Sequence, residues 1–164
     1  MTDEPIRELR FRPMVNLRVP PGSPAAGRIA DALGAALPAP NTVATGAHTV
    51  AWLGPDEWLV IGDGAKELLD RAVGPDFASV VDVSANRTTF ELSAPWARDL
   101  LEKGMSIDLH PSVFGPGRCA QTLLARAQVI VQQVDDRPTY HVLVRGSFAP
   151  YLAAWLADAA SEFG

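Results

Sequence analysis

Between Leu9 and Val83 the apolar residues change period in a set order, and that order restricts the fold more than any other feature of the chain. Leu9, Phe11, Val15, Leu17 and Val19 fall on one face, with Arg10, Arg12, Asn16 and Arg18 on the other, which predicts a half-buried strand. Pro13 has no amide N–H to give a ladder, so it predicts an edge position or an interruption. Pro20-Pro21-Gly22 breaks the strand, and Ser23-Pro24 opens a helix with Ile29, Leu33 and Leu37 as its stripe. Gly34 weakens this helix, and Pro38 and Pro40 end it. Residues 38–46 read as a loop. Segments 49–53 and 58–61 read as a hairpin closed by Gly54-Pro55-Asp56-Glu57, strong turn formers in a row. A helix over 65–73 is stopped by Gly74-Pro75, and a strand over 80–83 follows.

Strand, helix, strand, strand, helix, strand is the split β-α-β order of ferredoxin-like domains. The second half restarts it. A strand over 87–92 leads to Ser93, which fits an N-cap, and to Pro95, which fits the first turn of a helix. Ala97, Leu100 and Leu101 supply the apolar side of that helix, and Gly104 sits where a left-handed C-cap is wanted. Strands are predicted over 119–124, 129–134 and 139–145, then a helix over 148–160 capped by Ser147. The expectation is an α+β fold of ferredoxin-like split β-α-β halves. The domain expectation is a single unit over 1–164, with two topologically similar halves at 8–84 and 85–164.

The 164 residues are 48% hydrophobic, enough for a sizeable core. A net charge of −5 provides no basic field to gather nucleic acid. No apolar run approaches the ~18 residues of a membrane-spanning helix. Met-Thr-Asp-Glu-Pro at the start lacks the basic and apolar regions of a secretory signal. Cys119 is the one cysteine, so no internal disulfide forms. A cytoplasmic protein is expected. Twelve of the fourteen basic residues are arginine, which suits partner-facing surfaces and also a genome rich in Ala and Arg codons.

Sites for chemistry are sparse. His48, His110 and His141 are scattered, and none has a cysteine or carboxylate at metal-ligand spacing. Cys119 lies in an apolar strand with no base nearby in sequence, the setting of a buried thiol. Gly62-Asp63-Gly64 and Gly115-Pro116-Gly117 lack the rest of a phosphate-loop pattern and read as turns. The richest polar cluster is the turn carrying Asp82, Ser84, Asn86 and Arg87. Asp82 holding Arg87 across the turn is the favoured reading, and both facing a ligand is the alternative. Trp52, Trp58 and Trp96 are candidates for interface anchors, or else for core.

The chain resembles the gamma subunit family of heterotetrameric sarcosine oxidase. The matching segments begin with Asn16-Leu17-Arg18, Trp52-Leu53-Gly54-Pro55-Asp56-Glu57-Trp58-Leu59, and Asp82-Val83-Ser84 with Arg87-Thr88. They continue through Ala97-Arg98-Asp99-Leu100-Leu101, Lys103-Gly104, Asp108-Leu109-His110-Pro111 and the run from Phe114 to Leu124. Arg145-Gly146-Ser147-Phe148, Tyr151-Leu152 and Trp155-Leu156 complete the set. Departures from the family pattern fall at Ala85-Asn86, Ala94 and Met105.

The resemblance implies a fold similar to the folate-binding part of the glycine-cleavage T-protein. It implies a complex with alpha, beta and delta partners that oxidises sarcosine to glycine and hydrogen peroxide. The one-carbon unit would pass to tetrahydrofolate, and FAD, FMN, NAD and zinc would sit in the partner subunits. This chain would then be a non-catalytic, architectural subunit with no cofactor of its own. Two other readings stay open: a stand-alone folate or one-carbon binding module, and a subunit of a related N-methylamine oxidase.

Overall fold

A computed structural model describes residues 4–164, and among them ten strands build two five-stranded antiparallel sheets. The chain divides into two compact units, one of residues 11–84 and one of residues 85–164 joined by the N-terminal segment up to Arg10. The first strand, β1 (Ile6–Leu9), belongs to the second of these.

The single N-terminal strand expected from the alternation is in fact two strands that enter different sheets. After β1 the backbone leaves the extended region: Phe11 has φ +56° and is 94% exposed. Pro13, with no N–H to pair, marks the end of the break. β2 (Met14–Arg18) then starts afresh as an interior strand, buried at Met14, Val15 and Leu17. Phe11 therefore does not share their face, although the period-2 pattern puts it there.

The first unit continues with α1 (Pro24–Leu33), β3 (Val43–Thr45), β4 (Thr49–Gly54), β5 (Glu57–Ile61), α2 (Ala65–Val73) and β6 (Ser79–Asp82). Ser23 caps α1, its Oγ accepting the Ala26 N–H at 3.2 Å. Gly34 does not weaken the helix from within. It is the left-handed residue that ends it, at φ +71°. Within the expected loop, three residues form β3 by pairing with β4. The hairpin is tighter than the turn formers indicated: Gly54 pairs with Glu57, leaving Pro55 and Asp56 as the loop, and a register shift falls at Leu53. The sheet runs β3-β4-β5-β2-β6. Val15, Leu17, Val50, Trp58 and Val60 pack on Ile29 of α1 and Leu69 of α2 to make the core.

The second unit holds β7 (Arg87–Ser93), α3 (Ala97–Glu102), β8 (Cys119–Leu124), β9 (Ala127–Asp135), β10 (Thr139–Arg145) and α4 (Ala149–Ala160). Its sheet runs β1-β7-β10-β9-β8. Read from β8, this repeats the other unit strand for strand, and β1 takes beside β7 the place that β6 takes beside β2. Phe90, Leu92, Val131, Tyr140, Val142 and Val144 pack on Leu100 and Leu101 of α3 and Leu152 and Leu156 of α4. Alternation sends the intervening residues to the opposite face of the sheet.

Three caps read from the sequence are placed differently. Ser93 remains in β7, with its hydroxyl 3.2 Å from that of Thr139, and Trp96 occupies the α3 N-cap position. Ser147 lies in a short 3-10 turn, Gly146–Phe148, so α4 begins at Ala149, one residue later than expected, without a side-chain cap. Gly104 is needed for space rather than for a left-handed turn. A Cβ there would come within 2.6 Å of the Trp155 indole and 3.2 Å of the Ala125 nitrogen.

Candidate functional site

The polar turn after β6 was the strongest sequence candidate, and its groups are used in closing sheets. Asp82 Oδ1 accepts the Ser84 N–H at 2.9 Å, and that bond is the main reason its carboxyl titrates below the ordinary aspartate range. Ser84 Oγ accepts the Met14 N–H at 2.9 Å, while the Val83 N–H donates to the Met14 carbonyl at 2.9 Å. Together they seal β6 against the start of β2. Asn86 works in the other unit, where its carbonyl accepts the Gly146 N–H at 3.0 Å. Arg87 opens β7 directly opposite Arg145 at the end of β10. Asp82 and Ser84 thus belong to one unit, Asn86 and Arg87 to the other.

The tryptophans have distinct settings. Trp52 and Trp58 stand opposite each other across the hairpin, because the register shift at Leu53 realigns β4. Both therefore project to one face. Trp58 is only 4% exposed and donates its indole N–H to the Pro38 carbonyl at 3.0 Å. Trp52 packs at the margin of the same core. Beside them an apolar cavity of about 630 Å³ is lined by Trp52, Trp58, Leu37, Pro21, Pro38 and Pro55, among others. Trp96 stacks on Phe163, with ring centroids 5.0 Å apart and planes within 5°. Lys103 lies 4.3 Å above that Phe163 ring, so the end of the chain is held against α3.

Sequence reasoning missed a polar row running across the second sheet on the face away from the helices. Strand pairing sets Arg7 opposite Glu91, Glu91 opposite His141, and His141 opposite Gln132. Arg7 Nε donates to Glu91 Oε1 at 2.7 Å, and Glu91 Oε2 lies 2.9 Å from His141 Nε2. The other imidazole nitrogen is 3.3 Å from the Gln132 amide. Burial pushes the Glu91 carboxyl up, but the bonds from His141 and Arg7 outweigh it, and it titrates below the ordinary glutamate range. The available signal was a charged or imidazole residue inside an otherwise apolar strand, as in Thr88-Thr89-Phe90-Glu91-Leu92 and Tyr140-His141-Val142. Partners 50 positions apart could not be matched from spacing.

The remaining candidates are local. His48 Nε2 sits 3.0 Å from the Asp63 carbonyl oxygen, and His110 Nδ1 sits 2.7 Å from the Ser112 hydroxyl. The Cys119 thiol is buried. Among the described residues, no three His, Cys, Asp or Glu side chains gather as a metal site, and no helix is long and apolar enough to cross a membrane.

Comparison with known proteins places these features in context. The sarcosine oxidase, gamma subunit family model matches residues 20–162. The sarcosine oxidase subunit gamma of Corynebacterium sp. (strain P-1) is 38% identical, over 96% of this chain and 80% of that protein. Its counterpart from Arthrobacter sp. is 39% identical over the same shares. Among solved structures, a chain of the heterotetrameric sarcosine oxidase from Corynebacterium sp. U-96, in complex with pyrrole 2-carboxylate, superposes with a TM-score of 0.90 at 36% identity. That match covers 96% of this chain and 84% of the other. The glycine cleavage system aminomethyltransferase T from Bartonella henselae matches with a TM-score of 0.69 at 10% identity, over 92% of this chain and 44% of that one. At that identity the likeness is one of fold, and the fold is the one the sequence resemblance implied.

Proposed function

The chain belongs to the sarcosine oxidase gamma subunit family, and from that premise we propose that it is the gamma subunit of a heterotetrameric sarcosine oxidase, serving assembly rather than chemistry. The complex would oxidise sarcosine in the cytoplasm with oxygen as acceptor. It would release glycine and hydrogen peroxide and pass the one-carbon unit to tetrahydrofolate as the 5,10-methylene derivative. FAD, FMN, NAD, zinc and tetrahydrofolate would be held by the alpha, beta and delta partners. The observation that carries this reading is the near-complete superposition on a chain of a solved heterotetramer.

The apolar cavity beside Trp52 supports an assembly role, since aromatic anchors in desolvated pockets dominate subunit contacts. Phe77 and Val81, both exposed near the edge strand β6, add apolar surface. The hydrogen bonds of Asp82, Ser84 and Asn86 to backbone groups support a structural role for the polar turn. A partner contact of the obligate kind would bury more than ~2,000 Å² in total.

Co-expression of the tagged chain with its candidate alpha, beta and delta partners tests the proposal. The chain is expected to co-purify with flavin-carrying partners, and to bind no flavin and oxidise no sarcosine when purified alone. Peroxide release from sarcosine by the isolated chain would overturn the assembly role. Failure to co-purify with any of the three partners would overturn the subunit reading itself.

A further inference from the structure

Resting on the subunit reading, we propose that the apolar cavity of the first unit receives an uncharged loop of a partner subunit, which inserts bulky apolar side chains. The second unit shows what fills the corresponding place when the chain supplies it itself. Tyr140 stands opposite Gln133 there, as Trp58 stands opposite Trp52 in the first unit. The Gln133 N–H donates to the Arg118 carbonyl at 3.2 Å, and the Trp52 N–H donates to the Thr42 carbonyl at 3.1 Å. The segment between helix and edge strand is thus anchored alike in both units. In the second unit that segment, residues 103–118, buries Met105, Leu109 and Phe114 in one core with Leu101 and Tyr140. In the first unit it is the shorter run of residues 34–42, of which only Pro38 is buried. Leu37, Pro38 and Pro40 of this run form one wall of the cavity of about 630 Å³, and Ala26, Gly27 and Ala30 of α1 form another.

The walls select the chemistry of the occupant. None of the lining residues described is charged. Pro21, Pro38, Pro40 and Pro55 have no N–H to donate, and the indole N–H of Trp58 is spent on the Pro38 carbonyl at 3.0 Å. The hydroxyl of Ser23 caps α1. A carboxylate or ammonium entering here would give up its water bonds without replacement, so apolar side chains are the groups these walls accept. Gly27 points the same way. Glycine inside a helix costs stability relative to alanine, and a Cβ on Gly27 would meet nothing within 4 Å. Packing within the chain therefore does not demand glycine there, whereas its bare backbone leaves room for a side chain arriving from outside. Anchors of this kind, seated in desolvated pockets, are what carry subunit contacts.

The test uses the full chain, alone and co-expressed with its candidate alpha, beta and delta partners. G27L fills the cavity from α1 without displacing a packed neighbour, so it should keep the wild-type circular dichroism and melting temperature or raise the latter. G27A favours the helix in the same way and leaves most of the cavity open. G27L is expected to weaken association with the partners at least tenfold, while G27A stays within twofold of wild type. Nile red, a neutral apolar dye, should bind the isolated wild-type chain and G27A, and bind G27L at least tenfold more weakly. If G27L does not keep the wild-type circular dichroism, A30L on the same wall takes its place. Dye binding unchanged by the filled cavity, or a filled variant that assembles as readily as wild type, would overturn the proposal. So would an isolated chain that light scattering shows to be dimeric and that G27L makes monomeric, since the cavity would then serve a contact between copies. A wild-type chain that joins none of the partners would defeat the subunit reading, and the proposal with it. Assembly of wild type and G27L alike defeats the proposal alone.

Discussion

Glu91 and His141 face each other across β7 and β10, with Oε2 and Nε2 2.9 Å apart, and Arg7 grips the other oxygen of the same carboxylate from β1. Three strands brought together from distant parts of the chain are thereby joined through one side chain. Because the folded carboxyl titrates below its unfolded value, the stability it contributes is present above the unfolded glutamate pKa of about 4.3. It is lost as pH falls through the lowered folded value.

Replacing this carboxylate should therefore change both stability and its pH slope. E91Q is expected to unfold more readily at pH 7, by about 1–3 kcal/mol, since two bonds to a charged group are weakened. Between pH 6 and pH 3 the variant should lose less melting temperature than the wild type. Thermal unfolding followed by circular dichroism across that range checks both, and parallel curves would exclude the carboxylate as the source of the slope.

Gly104 tests whether space, rather than backbone conformation, demands glycine. An added Cβ would meet the Trp155 ring at 2.6 and 2.9 Å and the Ala125 backbone nitrogen at 3.2 Å. G104A should cost about 1–3 kcal/mol in chemical denaturation, as other overpacked sites do. Adding W155L should recover part of that loss. If the double variant is less stable than the sum of the two single changes, the steric account is wrong.

The polar turn separates into a weak and a strong contributor. S84A leaves the N–H of buried Met14 without its side-chain acceptor and should cost about 1–3 kcal/mol. D82A removes one bond at the surface, so its denaturation midpoint should stay much closer to wild type. A larger loss for D82A than for S84A would reverse the assignment.

The two ends of α1 offer a paired measurement. S23A should destabilise by about 1 kcal/mol through loss of the cap to Ala26. G34A should cost about 1–2 kcal/mol, because φ +71° brings a Cβ against the following carbonyl. Helix-region hydrogen exchange should rise in both. A neutral or stabilising G34A would mean that Gly34 acts as an interior helix residue after all.

Most of the regular elements were legible in the sequence because their causes are local. The helix Ala65–Val73 and the strands Cys119–Leu124 and Thr139–Arg145 lie where period and turn formers put them, and Ser23 caps the helix it precedes. The family was legible too, since it rests on the order of short motifs along the chain. Tertiary pairing decided the rest. Nothing near Val43 signals a strand until β4 supplies its partner, and nothing in the alternation through Leu9 and Val19 shows that its ends join different sheets. Gly104 reads as a C-cap until Trp155 arrives beside it. Glu91, His141 and Arg7 meet only through register, which sets side by side residues that spacing along the chain keeps apart. Local sequence determines backbone preference and which face is apolar. Which polar groups meet on the other face is a property of the assembled sheet.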